Sequence, residues 1–138
     1  MKRINLKINK FPEAVLIAPT RSIVNEIEDD VYYIICTDND KYDYLNMREN
    51  VLILHFADTE IDSRWDAFTE GHANAVIDFL NAHDIGDLFV TCEAGESRSA
   101  AIAAAIISCT GSDEYIWNSP DYSPNKLVYT TMQKCIAG

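Results

Sequence analysis

Apolar and polar positions fall into two kinds of stretch along this chain. Residues 14–18, 31–36, 51–56 and 88–91 are short runs that are apolar almost throughout. Their length and their β-branched and aromatic content predict strands buried on both faces. Ile4, Leu6 and Ile8 instead alternate with Asn5, Lys7 and Asn9, which predicts a half-exposed strand at a sheet edge. Other stretches follow the helical period. The longest predicts a helix over residues 64–83, with Trp65, Phe68, Ala73, Val76, Ile77 and Leu80 on one face. Ser63 stands where a cap is needed, with Asp66 three residues on, near the capping-box pattern. Residues 100–107 are helix formers and apolar nearly all round, so this helix is expected to be buried against the sheet and to end by Gly111. A closing helix is expected after Ser123 as N-cap and Pro124 at the first helical position. Leu127, Val128, Thr131, Met132 and Cys135 would form its inner face. A short helix is expected over residues 23–27, after the break at Pro19, and a polar and aromatic rim over residues 113–122.

Strands separated by helical segments indicate an α/β protein. The expected architecture is a central, mainly parallel sheet flanked by helices on both faces, as one domain over residues 1–138. That length suits a single substantial core.

Charge and cysteine usage narrow the partners. Eleven Lys and Arg against 22 Asp and Glu give a net charge of −11. Binding to nucleic acid or to an acidic membrane needs basic patches, so neither is expected. Cys36, Cys92, Cys109 and Cys135 have no paired spacing, and residues 1–6 lack the apolar core of a signal peptide, so a reducing cytoplasm is expected. The longest apolar run, residues 100–107, is too short to span a bilayer. No metal or cofactor is expected. Residues 38–43 begin like a calcium loop, but Tyr42 stands at a ligand position and Asp43 where Gly is needed. Glu26, Glu28, Asp29 and Asp30 make a charged surface turn, and His55, His72 and His83 lack ligand spacing.

The chemistry is concentrated after the strand at residues 88–91, in the loop Cys92-Glu93-Ala94-Gly95-Glu96-Ser97-Arg98-Ser99. A strand, a short polar loop and a helix start point backbone N–H groups at the loop, where the positive end of the helix favours anions. A thiol facing such groups and a guanidinium is acidified, to roughly 3.5–7.5 from about 8.5. A thiolate is a nucleophile, and an arginine fork matches phosphate oxygens. The pattern therefore points to phosphoryl transfer to Cys92, with phosphate held by Arg98 and by the loop residues Glu93, Ala94, Gly95, Glu96 and Ser97. Cys92 alone would read as a small buried hydrophobe at a strand end; it is the whole constellation that points to chemistry.

This loop resembles the signature loop of the cysteine-based protein tyrosine and dual-specificity phosphatases, in which Cys, two residues, Gly, two residues and Arg are followed by Ser or Thr. The Ser97-Arg98-Ser99 end is similar to the small dual-specificity type. The resemblance is carried by residues 88–107 and extends more loosely back to Asp58. Residues Pro124-Asn125 near the last helix are faintly similar to small bacterial and phage forms. The resemblance implies the cysteine-phosphatase fold, Cys92 as nucleophile, Arg98 as phosphate ligand and Ser99 as the hydroxyl that assists breakdown of the phosphoenzyme. It implies no cofactor. The chain departs from the family at Thr91, where a His that orders the loop and tunes the thiol is usual.

Such a reaction needs a general acid for the leaving oxygen. In the family this is an Asp after a strand, about thirty residues before the Cys. Asp58 stands there, in Phe56-Ala57-Asp58-Thr59-Glu60, with Asp62 as the fallback and Asp66 read as a cap. The substrate is then a phosphorylated protein or a small aryl phosphate. The alternative is a catalytically weak phosphate-recognition module with the same loop, which Thr91 and the carboxylates of Glu93 and Glu96 favour. A phosphoinositide substrate fits poorly, because polyanionic head groups call for basic loop residues. Thiol chemistry on another oxyanion, such as arsenate, lacks a second Cys near Cys92 in sequence.

Overall fold

Four of the predicted strands pair into one sheet. In the computed structural model, which describes residues 6–138, β1 (Ala14–Pro19), β2 (Tyr32–Thr37), β3 (Val51–His55) and β4 (Asp87–Cys92) are all parallel. Their order is β1-β4-β2-β3, so the last strand in sequence is inserted between the first two. Its neighbours hold it in register, with Ile17 and Ile34 both opposite Val90. Leu88 and Val90 are fully buried, as a central strand requires. β1, expected to be buried, is instead an edge strand, and Leu16 is 40% exposed. An apolar run does not tell an edge from a centre; the insertion of β4 decides it.

Four helices follow: α1 (Glu70–Asn81), α2 (Arg98–Ser108), α3 (Glu114–Asn118) and α4 (Lys126–Ala137). All four contribute to one core with Ile34, Cys36, Leu54, Leu88 and Val90. Alternate residues of the same strands, Tyr33, Ile35 and Ile53, point to the other face. There they are covered by Ile23, Val31, Tyr42 and Leu45 from the connections between strands. The expected helices on both faces are thus corrected to helices on one face and turns on the other, including 3₁₀ turns at Thr20–Ser22 and Asp43–Leu45. The helix expected over residues 23–27 is a turn, in which the N–H groups of Ile23 and Val24 both bond back to the Thr20 carbonyl. Polar side chains brace these connections through backbone partners, locally at Asn39 and between distant turns at Asn50. The Asn39 side chain accepts from the Lys41 N–H at 3.1 Å, and the Asn50 amide donates to the Glu28 and Val31 carbonyls at 2.7 and 2.8 Å.

α1 is shorter than its periodicity predicts. Its cap is Thr69, not Ser63: the Thr69 hydroxyl accepts from the His72 N–H at 3.3 Å, and His72 Nδ1 accepts from the Thr69 N–H at 2.9 Å. The His72 Nε2–H donates to the His55 carbonyl at 2.8 Å, which fixes a neutral imidazole. Burial lowers the pKa of His72 in the same sense, against the effect of that bond. A histidine in place of Glu or Gln three residues after the cap hides the capping box from a sequence pattern. Residues 62–67 form turns and bends, Trp65 is 94% exposed, and Asp66 pairs with Arg64 instead of capping a helix.

α2 is buried from Arg98 to Ile106, and five of residues 100–106 are Ala. Small side chains let this helix lie close against β1, β2 and β4. α4 begins two residues later than predicted. Asn125 is its N-cap, accepting from the Val128 N–H at 3.1 Å, and Pro124 precedes the cap. Val128, Met132 and Ile136 form its buried stripe, while Leu127, Thr131 and Cys135 border it half-buried. Residues 113–117, expected to form a rim over the site, lean on α4. There the Asp113 carboxylate accepts from Trp117 Nε1 at 3.0 Å and the Tyr129 hydroxyl at 2.8 Å.

The edge strand expected at residues 4–8 begins outside the described residues. From Leu6 to Ile8 there is no strand. The segment straps the ends of two helices: the Lys7 N–H donates to the Ile136 carbonyl at 2.7 Å, and the Asn81 amide donates to the Lys7 carbonyl at 2.8 Å. Among the described residues, no helix is long and apolar enough to cross a membrane.

The true start of α1 can be tested by removing either hydroxyl. Thr69→Ala should destabilise the protein by about 1 kcal/mol in urea unfolding, as for other lost caps. Ser63→Ala should leave the midpoint unchanged. Equal effects would place the helix start elsewhere.

Candidate active site

β4 delivers Cys92 to the carboxyl end of the sheet, where parallel α/β sheets bind ligands. The next five residues turn tightly and α2 begins at Arg98. The turn requires Gly95. Its φ is +69°, and a Cβ there would lie 2.6 Å from the Pro19 nitrogen and 2.7 Å from the Ala18 carbonyl carbon. The loop is therefore moulded against the end of β1. Further ties brace it. Arg21 Nη1 donates to the Glu93 carbonyl at 3.3 Å, Lys41 pairs with the Glu93 carboxylate at 3.3 Å, and the Ser123 N–H donates to the Glu96 carbonyl at 2.9 Å. Thr91, at the usual His position, is buried and its hydroxyl accepts from Thr20 at 3.0 Å. This bond anchors the start of the loop to the turn after β1.

The thiol is buried, and Cys92 Sγ lies 3.1 Å from the Ser99 hydroxyl. Burial is the largest influence on it and acts to raise its pKa. The Ser99 hydroxyl and the N–H groups of Ser99, Ser97 and Gly95 donate toward the sulfur and act the other way. Together they prevail, and the thiol lies below its ordinary pKa. Ser97 at the helix N-cap makes no capping bond with its side chain, so the first N–H groups of α2 are left to face the sulfur. Cys36 shows the contrast. The β2–β4 ladder runs in register up to Ile35 opposite Thr91, one residue short of both thiols. Burial, then the charge of Cys92, push the Cys36 thiol well up, against the pull of Arg98. Without equivalent donors, it stays a neutral packing group.

Arg98 is 6% exposed. Its Nη1 donates to the Phe56 carbonyl at 3.0 Å, and the guanidinium lies over the Phe56 ring at 5.9 Å. These contacts fix the plane of the fork. Its buried Nε has no hydrogen-bond partner among the described residues. An unpaired buried donor on a cation is costly.

Of the carboxylates named above, the structure brings only Asp58 to the loop. Asp58 Oδ1 accepts from the Ser97 hydroxyl at 2.8 Å and from the Asn125 amide at 2.9 Å. Asp62 is exposed, and among the described residues no hydrogen bond ties its side chain to the loop. Asp66 lines a cleft of about 380 Å³ with Asp38, His55, Phe56, Trp65 and His72. The motif pattern missed Asn125 and the Phe56 carbonyl. A Pro-Asn pair before an apolar helix signals a cap, not a partner 67 residues away. A backbone carbonyl carries no sequence signal at all.

Among the described residues, no group of three or more His, Cys, Asp or Glu is placed to hold a metal ion. The chain matches no family model, and no curated protein matches it.

The thiol can be read directly by alkylation. The Cys92 thiolate is present above its lowered pKa, so its alkylation by iodoacetamide should persist to lower pH than that of Cys135. Burial and Glu70 push the Cys135 thiol up. Ser99→Ala should move the Cys92 midpoint to higher pH. Gly95→Ala should do the same and lower stability by more than the ~1–2 kcal/mol of the left-handed backbone alone, because its methyl meets backbone atoms. A midpoint unmoved by both changes would mean that the loop does not set the thiol's acidity.

Proposed function

We propose that this protein is a phosphomonoester hydrolase of the tyrosine and dual-specificity phosphatase type, acting through a cysteinyl-phosphate on Cys92. The observation that carries the reading is the acidified thiol held inside a loop whose N–H groups converge on it. The all-parallel α/β sheet, with the loop between its central strand and a buried helix, supports the cysteine-phosphatase fold.

In the first step the Cys92 thiolate attacks phosphorus, and the bond from phosphorus to the leaving oxygen breaks. Asp58 gives that oxygen its proton. The loop N–H groups and the Arg98 fork hold the phosphoryl oxygens. In the second step water attacks phosphorus and Asp58 takes up its proton. The P–S bond breaks, releasing inorganic phosphate and the thiolate, which the Ser99 hydroxyl receives. Cys92 is thereby regenerated. The ion pair of Glu93 with Lys41 lessens the repulsion this loop carboxylate exerts on a phosphate. Substrates are phosphorylated proteins or small aryl phosphates.

Turnover of a chromogenic aryl phosphate tests this. Cys92→Ser should abolish turnover while keeping the fold and phosphate binding, since a hydroxyl is a far weaker nucleophile at neutral pH. Arg98→Lys should be nearly as severe, because an ammonium does not reproduce the fork. Near wild-type rates for Cys92→Ser would sink the mechanism. Phosphate binding by a wild type without turnover would make the protein a recognition module. Asp58→Asn should lower the rate on poor leaving groups by about a hundredfold or more and remove the high-pH limb of the profile. Asp62→Asn should do little, and the reverse ranking would move the acid to Asp62.

A further inference from the structure

We infer that Asn125 is a positioning residue for the general acid, fixing the Asp58 carboxylate over the phosphate loop from the first turn of α4. The inference rests on Asp58 being the acid. Asn125 is 2% exposed, and every polar atom of its side chain is engaged. Its Oδ1 caps α4 by accepting from the Val128 N–H at 3.1 Å. Its Nδ2 donates to Asp58 Oδ1 at 2.9 Å and to the Thr59 carbonyl at 3.0 Å. Its backbone N–H donates to the Ser97 carbonyl at 3.2 Å, inside the phosphate loop. One residue thus touches the acid loop, the phosphate loop and the helix end. The next residue adds a tie, because the Lys126 N–H donates to the Glu60 carboxylate at 2.7 Å.

The geometry divides the labour of the carboxylate. Asp58 Oδ1 takes both donors, Ser97 Oγ and Asn125 Nδ2, and Oδ2 takes neither. The held oxygen sets the plane and the free oxygen carries the transferable proton. Placing a catalytic group in advance removes the freedom that would otherwise be lost on reaching the transition state. Ser97 alone would leave the carboxylate able to pivot about one bond. The second donor, on a buried side chain locked by its own capping bond, stops the pivot.

The test separates this role from helix capping. Ser and Thr both cap helices well, but neither places an amide donor against Asp58. Asn125→Ser and Asn125→Thr should therefore keep α4 capped and the protein folded, with a urea midpoint lowered alike in both by loss of the Thr59 bond. Both should lower kcat about tenfold or more on aryl phosphates with poor leaving groups. They should leave KM unchanged, as well as the rate on substrates whose leaving group needs no proton. In the Asp58→Asn background, Asn125→Ser should have no further effect, since its partner is already lost. If Asp58→Asn shows the leaving-group dependence and both Asn125 variants match wild type, the positioning role is overturned and the phosphatase reading stands. A uniform loss on all substrates, or a further loss in the Asp58→Asn background, also overturns it. If wild type does not turn over, or Asp58→Asn shows no leaving-group dependence, the reading of Asp58 falls and the positioning role falls with it.

Discussion

Burying a thiolate is unfavourable unless donors meet the charge, and the loop between β4 and α2 brings such donors to Cys92. The largest influence on that sulfur opposes ionisation, and only the converging N–H groups and the Ser99 hydroxyl reverse it. The loop must therefore curl tightly, which needs the left-handed backbone at Gly95 and its contact with Ala18 and Pro19. It must end in a helix whose first N–H groups are not taken by a cap. That helix must lie close under the sheet, which its Ala run allows. The two thiols at the ends of adjacent strands show what the donors achieve: similar burial gives opposite shifts.

Much of this was legible in the sequence, and what was not has a physical cause. The strand–loop–helix unit at residues 88–107 was readable because its pattern is local: an apolar run, a glycine and a buried helix. Asp58 was singled out through the family resemblance, and its carboxylate does reach the loop at Ser97. The sheet order was not, because pairing depends on how the connections pass over the sheet. β1 therefore read as buried and is an edge. The helix over residues 64–83 was overextended because Trp65 and Phe68 fit the helical period. Phe68 is buried from the irregular segment just before the Thr69 cap, and Trp65 is exposed. The cap of α4 was misplaced by two residues, because Ser123 before Pro124 matches a common start and Asn125 matches one equally well.

Thr91 illustrates a departure whose meaning lies in three dimensions. In sequence it stands where the family that the loop resembles has a histidine. In the fold it is a buried hydroxyl bonded to Thr20, in the turn that follows β1. The loop start is thus anchored by a neutral bond, and the acidity of Cys92 owes nothing to an imidazolium beside it. The tuning is left to the N–H groups and Ser99.

The mould of the loop has a consequence for how the protein acquires its chemistry during synthesis. Eight consecutive residues hold the motif, but its shape is imposed by residues far away in the chain. Pro19 bounds Gly95, Phe56 aims Arg98, and Ser123 and Asn125 bond to the carbonyls of Glu96 and Ser97. A nascent chain that has just emerged past Ser99 carries every residue of the motif without the contacts that close it from the C-terminal side. Those contacts form only once residues 123–125 have docked, so the loop is closed from its C-terminal side last.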